Sequence, residues 1–211
     1  MAMEAYQNRK SPKDGPDDYP TPSWATRAML HHVLYHVNRD VSVWEPAANR
    51  GYMVRPLQET FRTVYASDYA DYGAGYPVVD FLSGPTPERV DWIITNPPFN
   101  RAEDFALRAL SIAERGVALF VRNAWAEGKG RYERLFSRQP PTIIAQHVER
   151  VALVKGRADK DAVSAMPYAW FVWEFPQIPH EEHETTEFRW IPPCRKEFDR
   201  EEDWRCATPN A

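Results

Sequence analysis

Short apolar runs alternate with longer amphipathic stretches along most of this chain. Thr21-Pro22-Ser23 has the form of a helix start, with Thr21 as candidate N-cap and Pro22 in the first turn. The apolar spacing after it predicts a helix from about Ser23 to Asn38. Val41 to Glu45 reads as a short strand, Met53 to Phe61 as a second helix, and Thr63 to Ser67 as the next strand. A glycine- and tyrosine-rich loop, Tyr69 to Tyr76, precedes a short strand near Val78 to Phe81 and a turn at Pro85 to Glu88. Asp91 to Thr95 is a buried strand by pattern, Ala102 to Glu114 a helix, and Gly116 to Val121 a strand. Asn123 to Arg138 is polar with helical parts. Thr142 to His147, Val151 to Val154 and Tyr168 to Phe175 read as strands, the last two pairing as a hairpin around Lys155 to Ser164. This alternation predicts a doubly wound α/β domain, mostly parallel, with a late antiparallel hairpin.

Composition changes that picture at the two ends. Met1 to Asp18 is polar and reads as a flexible leader without the apolar core of a signal peptide. Beyond Pro176 the chain is acidic and proline-bearing, with charge runs at His180 to Glu187 and Arg195 to Asp203. The expected organisation is a leader over 1–18, one domain over 19–176 and a tail over 177–211. No apolar run approaches the ~20 residues of a membrane span, and the two cysteines, Cys194 and Cys206, imply no disulfide framework. A cytoplasmic protein is the expectation. His180, His183, Cys194 and Cys206 match no compact metal site, so no metal is expected. The formal net charge of −4 argues against a generic polyanion binder and requires any nucleic-acid contact to use a local basic patch.

The chemistry concentrates where strands end. Asn96-Pro97-Pro98-Phe99 follows the apolar run Trp92-Ile93-Ile94-Thr95 and forms a stiff loop at its carboxyl end, where ligand sites of open α/β sheets lie. An amide side chain, the carbonyl of a residue lacking N–H, and an aromatic ring can together hold a planar amino group and stack on the ring that carries it. Glu45 and Pro46 end an earlier strand, and the loop Ala47-Ala48-Asn49-Arg50-Gly51 leads into a helix. Gly51 permits close approach or positive φ, and asparagine is a non-glycine residue suited to the left-handed region, so Asn49 can stand in for glycine there. Asp68 ends the next strand, where an acid can bind ribose hydroxyls. Asp80 and Phe81 can bond and pack against an adenine. Each acid alone is also explained by an ordinary turn. Three successive strands ending in an acid are not.

In this order, Tyr19-Pro20-Thr21-Pro22-Ser23-Trp24-Ala25-Thr26-Arg27, Trp44-Glu45-Pro46-Ala47, Ala66-Ser67-Asp68 with Asp71-Tyr72-Gly73, Asp80-Phe81-Leu82 and Asp91 to Asn100 resemble the S-adenosylmethionine-dependent DNA adenine-N6 methyltransferases, most nearly the compact type of phages and prophages. Tyr168 to Glu174 resembles that group's late strand. The resemblance runs from about Tyr19 to Glu174. It implies a Rossmann-like methyltransferase sheet, S-adenosylmethionine as cofactor and DNA as partner. It further implies that Thr21 and Pro22 line the methionine carboxylate end, that Glu45 lies near the ammonium, with Pro46, Ala47, Asn49 and Gly51 along the cofactor loop, that Asp68 binds the ribose, and that Asp80 and Phe81 contact the cofactor adenine. Asn96, Pro97, Pro98 and Phe99 would hold the target base. One departure stands out: the family usually has Cys-Gly where this chain has Ala48-Asn49. Asparagine's tolerance of the left-handed region predicts retained but altered binding.

A base amine is a poor nucleophile because its lone pair is shared with the ring. If the Asn96 side-chain oxygen and the Pro97 carbonyl each accept one amine proton, the nitrogen becomes more tetrahedral and the lone pair is freed. Positioning and fixed dipoles then carry the catalysis. A duplex base must be flipped out to arrive there, and Phe99 would stack on it. The same loop suits other planar nitrogens: cytosine N4, an RNA adenine or a protein glutamine amide. A non-catalytic protein retaining the fold is a further alternative. Arg101 and Arg122 are candidate substrate contacts. Together with Arg108, Arg131, Arg134 and Arg138 they could contact phosphates, but as a set of six they fit a solvated face better. Lys155-Gly156-Arg157 could meet nucleic acid or be solvated. The inserts are short, which predicts a short or relaxed recognition site.

Overall fold

The computed structural model describes residues 17–176 and 185–204. Strands β1 (Ser42–Glu45), β2 (Thr63–Ala66), β3 (Trp92–Thr95), β4 (Gly116–Arg122), β5 (Ile143–His147), β6 (Tyr168–Glu174) and β7 (Glu187–Ile191) form one sheet in the order β2-β1-β3-β4-β6-β5-β7. All neighbours are parallel except β6, which runs antiparallel to both β4 and β5. The chain order reverses between β1 and β3, the switch point at which such sheets leave a crevice.

Strands β1 and β3 are buried along their whole length, as strands covered on both faces must be. One face packs Trp24, Ala25, Ala28 and Met29 of α1 (Ser23–His32) and Leu57 of α2 (Val54–Thr60) against Val43, Ile94 and Phe120. The other packs Phe105, Ala106 and Ala109 of α3 (Ala102–Ile112), with Trp125 and Leu135 from the short helical stretches after β4, against Ile93, Leu119 and Phe171. The doubly wound, mostly parallel sheet expected from the alternation is therefore present.

Four local expectations are corrected. Helix α1 stops at His32, because Val33 and Leu34 turn inward and are buried. The expected strand near Val78 to Phe81 is only a bridge between Asp68 and Val78. Val78 is exposed there, and the bridge consists of Asp68 N–H donating to the Pro77 carbonyl and Val79 N–H donating to the Asp68 carbonyl. Val151 to Val154 is not the hairpin partner of β6. Val151 and Leu153 are buried in the core, but β4 and β5 already take both edges of β6. The antiparallel partner immediately before β6 in the chain is β5.

The last correction concerns the tail. Glu187–Ile191, inside a segment expected to lie outside the domain, forms the parallel edge strand β7. Beyond it, Cys194 is buried, α5 (Arg195–Phe198) packs on α1, and the buried Asp203 accepts from Arg27 at 2.5 and 3.0 Å. Arg27 also bonds Glu59, so one guanidinium ties α1, α2 and the C-terminal segment together. His180, His183 and Cys206, and most of the expected leader, lie outside the described residues. No helix among the described residues is long and apolar enough to cross a membrane.

Candidate active site

A cavity of about 670 Å³ opens at the carboxyl ends of β1, β2 and β3. That volume is within the range of small-molecule and cofactor sites. It gathers Thr21, Pro46, Ala47, Asn49, Asp68, Asp80, Phe81, Asn96, Pro98 and Arg101, ten of the residues singled out from the sequence. Pro22, Glu45, Gly51, Pro97, Phe99 and Arg122 are not on its wall.

The β1 loop is held by its own backbone. Ala47 N–H donates to Glu45 Oε1 at 2.9 Å, and Asn49 N–H donates to Asp68 Oδ2 at 2.9 Å. Asn49 has φ of 50°, the left-handed conformation expected of a glycine substitute, and it is the sole non-glycine with positive φ among the described residues. Its side chain donates to Asp18 at 2.8 Å, and Arg50 pairs with the same carboxylate at 2.7 Å. Gly51, at φ 83°, packs against the Tyr76 hydroxyl, which a Cβ there would strike. Its glycine requirement thus comes from Tyr76 and the turn rather than from the cavity.

Glu45 is fully buried. Desolvation pushes its carboxyl up to about 8, against the lowering effects of Thr95 and the Ala47 N–H. Glu45 Oε2 and the neighbouring Thr95 hydroxyl are both buried without a well-formed hydrogen bond. Asp68 is also raised, first by burial, while Ala70 N–H caps its Oδ1 at 3.0 Å. Asp80 is held low, chiefly by the Ser83 hydroxyl at 2.6 Å, with Leu82 N–H at 2.9 Å on its other oxygen. Phe81 is buried between Trp44 and Phe105, with ring centroids 5.1 and 4.7 Å away. Thr21 does not cap α1. Pro22 occupies the N-cap position, and the Thr21 hydroxyl is left buried and unpaired on the cavity wall.

The β3 loop is built differently. Asn96 Nδ2 donates to the main-chain carbonyl of Tyr19 at 2.9 Å. A carbonyl only accepts, so this bond fixes which end of the amide is nitrogen. The amide oxygen, Oδ1, is then buried with no hydrogen-bond partner. Phe99 N–H donates to Asp17 Oδ2 at 2.6 Å, and the Phe99 ring lies 5.2 Å from Tyr19 and 6.1 Å from Tyr168. The Arg122 guanidinium sits 4.7 Å from the Phe99 ring centroid, with Nε buried and unpaired. Arg101 pairs with Asp104 at 2.7 Å at the rim. Arg108 is spent on the carbonyls of Phe81 and Gly84, and Arg131 and Arg134 on Glu103.

Sequence reasoning placed Asp17 and Asp18 in the leader and gave Tyr19 no role. The structure seats all three against the two loops. Their signal was adjacency to Thr21-Pro22, within one short segment of the chain.

The sheet order, the single antiparallel strand and the cavity at the switch point decide the fold. This is the Rossmann-like methyltransferase fold. A Listeria monocytogenes protein assigned to the class I S-adenosylmethionine-dependent methyltransferases has 13% identity and a TM-score of 0.57, with 84% of this chain and 68% of that one covered. The type I restriction-modification methyltransferase subunit of Streptococcus thermophilus has 12% identity and a TM-score of 0.57, covering 89% of this chain and 50% of its own. A Pyrococcus horikoshii protein assigned as an RNA methyltransferase has 17% identity and a TM-score of 0.54, covering 78% and 90%. This chain therefore spans about half the length of the restriction-modification subunit. No protein-family model matches the sequence, and a search of curated proteins finds no match.

Proposed function

We propose that this chain transfers a methyl group from S-adenosylmethionine to the exocyclic N6 of an adenine in DNA. The observation that carries the reading is the Asn96 amide oxygen: buried, unpaired, oriented from a distance by Tyr19, and carried by a residue that lines a cofactor-sized cavity. A buried acceptor without a partner is destabilising by about 1–3 kcal/mol, so its retention fits a ligand that donates to it.

The cavity suits the cofactor on the same ground, since Thr21 Oγ1 is a second buried, unpaired polar atom on its wall. When bound, S-adenosylmethionine supplies an electrophilic methyl on a sulfonium sulfur. Thr21 would meet its carboxylate end, Asp68 its ribose hydroxyls, and Asp80 with Phe81 its adenine. Asp68 keeps lone pairs beyond those engaged by backbone N–H groups, so it can still accept. Glu45 acts from beneath, holding Ala47 in place rather than lining the wall.

On the acceptor side, Asn96 Oδ1 and the Pro97 carbonyl each take one proton of the amine in a hydrogen bond. That draws the nitrogen toward tetrahedral geometry and exposes its lone pair. These acceptors are fixed before the amine arrives, so little reorganisation is needed. No strong base is required; the nitrogen sheds its proton after transfer. Phe99 offers a ring for the flipped base. The Arg122 guanidinium stands over that ring at 4.7 Å, where a stacked base would meet it.

DNA is favoured over the other acceptors by the order of motifs from Tyr19 to Phe99; structural likeness is shared by restriction-modification subunits and a protein assigned as an RNA methyltransferase. The test is calorimetry with S-adenosylmethionine followed by transfer of labelled methyl to DNA, RNA and protein offered in parallel. Label in DNA supports the reading. Label confined to RNA or protein reassigns the acceptor, and cofactor binding with no label anywhere points to a non-catalytic descendant of the fold.

A further inference from the structure

Three consecutive residues join the two halves of the cavity. Asp18 holds the β1 loop: its carboxylate accepts from Asn49 Nδ2 at 2.8 Å and from Arg50 at 2.7 and 3.0 Å. On either side of it, Asp17 and Tyr19 hold the β3 loop. Asp17 accepts from Phe99 N–H at 2.6 Å, and the Tyr19 carbonyl accepts from Asn96 Nδ2 at 2.9 Å. The segment is closed on itself by Tyr19 N–H to Asp17 carbonyl at 3.1 Å, and anchored from outside by Gly156 N–H to Asp18 carbonyl at 2.9 Å. Pro20 follows and limits the backbone freedom of the residue before it. The β1 and β3 strands pair in register at Val43 with Trp92 and Trp44 with Ile93, both short of the carboxyl ends of the strands. Beyond those pairs, residues 17–19 bridge the loops.

We infer that Asp17, Asp18 and Tyr19 form a positioning strap that couples order in the cofactor loop to order in the acceptor loop. A ligand that settles the Asn49-Arg50 loop thereby fixes Asp18, and through one residue on either side fixes the orientation of the Asn96 amide and the Phe99 backbone. Its role in transfer rests on the methyltransferase reading; the mechanical coupling does not. None of the three is a catalytic residue. Asp17 acts through the Phe99 backbone, Asp18 through Asn49 and Arg50, and Tyr19 through Asn96.

The coupling is testable without any ligand. The Asp18 carboxylate bonds Asn49 and Arg50, whereas the Phe99 N–H bonds Asp17, so a merely local role would leave the Phe99 amide undisturbed when Asp18 is changed. Residue-resolved hydrogen exchange on the intact chain reads this directly. Asp18→Ala is expected to speed exchange of the Phe99 amide about tenfold or more while β4 and β6 amides keep their protection; Asp18→Asn, which retains one acceptor oxygen, is expected to restore much of it. Arg50→Ala is expected to act in the same direction with smaller effect. Unchanged Phe99 exchange in Asp18→Ala, with β4 and β6 still protected, overturns the strap. Should Asp18→Ala unfold, Arg50→Ala carries the same decision. A second arm separates the strap from the function. S-adenosylmethionine is expected to slow Phe99 exchange in the native chain, to lose that effect in Asp18→Ala and to lose part of it in Arg50→Ala. Coupling seen without cofactor, but no response to cofactor in the native chain, leaves the strap standing and removes the cofactor reading.

Discussion

The two loops that face each other across the cavity satisfy their polar groups in opposite ways. At the ends of β1 and β2, the acids are engaged locally. Glu45 accepts from Ala47, Asp68 from Asn49 and Ala70, and, further along the chain, Asp80 accepts from Leu82 and Ser83. Most of these are two- or three-residue turns that an aspartate makes in any protein. At the end of β3, the polar group is oriented by a residue 77 positions away, and its oxygen is left without a partner. A strand-end acid is therefore weak testimony for a ligand, because the loop itself explains it. An amide held at one end by a distant carbonyl and left open at the other is strong testimony, because folding alone gains nothing from it.

That contrast predicts where substitutions separate chemistry from architecture. The largest effect should come from Asn96→Ala. It removes a preorganised acceptor and is expected to lower the rate of methyl transfer about 10²–10³-fold, with cofactor affinity in calorimetry and thermal stability little changed. On the other side of the cavity, Gly51→Ala should be felt mainly as instability. A methyl group there strikes Tyr76 from a backbone at φ 83°, and about 1–3 kcal/mol of strain is expected in denaturant unfolding. Asn49→Gly, by contrast, removes the left-handed penalty but loses the Asp18 bond, so stability should move by no more than about 1 kcal/mol while the β1 loop loosens. Phe99→Ala is expected to weaken nucleic-acid binding by about 1–3 kcal/mol, roughly 5- to 150-fold in Kd by titration, without altering cofactor affinity.

The last effect is one of pH. Glu45 carries a folded pKa of about 8, raised first by burial. The folded chain then keeps a proton that the unfolded chain gives up near the ordinary glutamate value. The resulting stability is full below about pH 4.5 and declines as pH rises toward about 8, by at most about 1.4 kcal/mol per unit. Glu45→Gln mimics the protonated acid and should flatten that slope, so its advantage over the native chain in thermal unfolding should grow from pH 5 to pH 8. A native slope that survives in Glu45→Gln would assign the proton to another group.

The fold was legible because β1, β3 and β4 are buried on both faces and read as unbroken apolar runs with turn residues between them. Where burial is one-sided or tertiary, the pattern gave out. Glu187–Ile191 carries its two largest rings, Phe188 and Trp190, to solvent, and only Ile191 is fully buried. Nothing in its local spacing distinguishes it from the charged segment around it. Val151 and Leu153 have the alternation of a strand but no free sheet edge to join. The site was legible to the extent that it sits at strand ends. Asn49 was readable because left-handed backbone favours few residues, and Asn96 because two prolines follow it. Asp17, Asp18 and Tyr19 were not. Their partners are other loops brought close only by the finished sheet, and a backbone carbonyl leaves no mark on the sequence.

The most direct test of the account is to incubate the native chain and Asn96→Ala with duplex DNA and S-adenosylmethionine, digest the DNA to nucleosides, and quantify methylated bases by mass spectrometry. The account predicts N6-methyladenine with the native chain and a loss of at least a hundredfold with Asn96→Ala at unchanged cofactor affinity. Methylation that persists undiminished in Asn96→Ala, or a methyl group found only on another base, would contradict it.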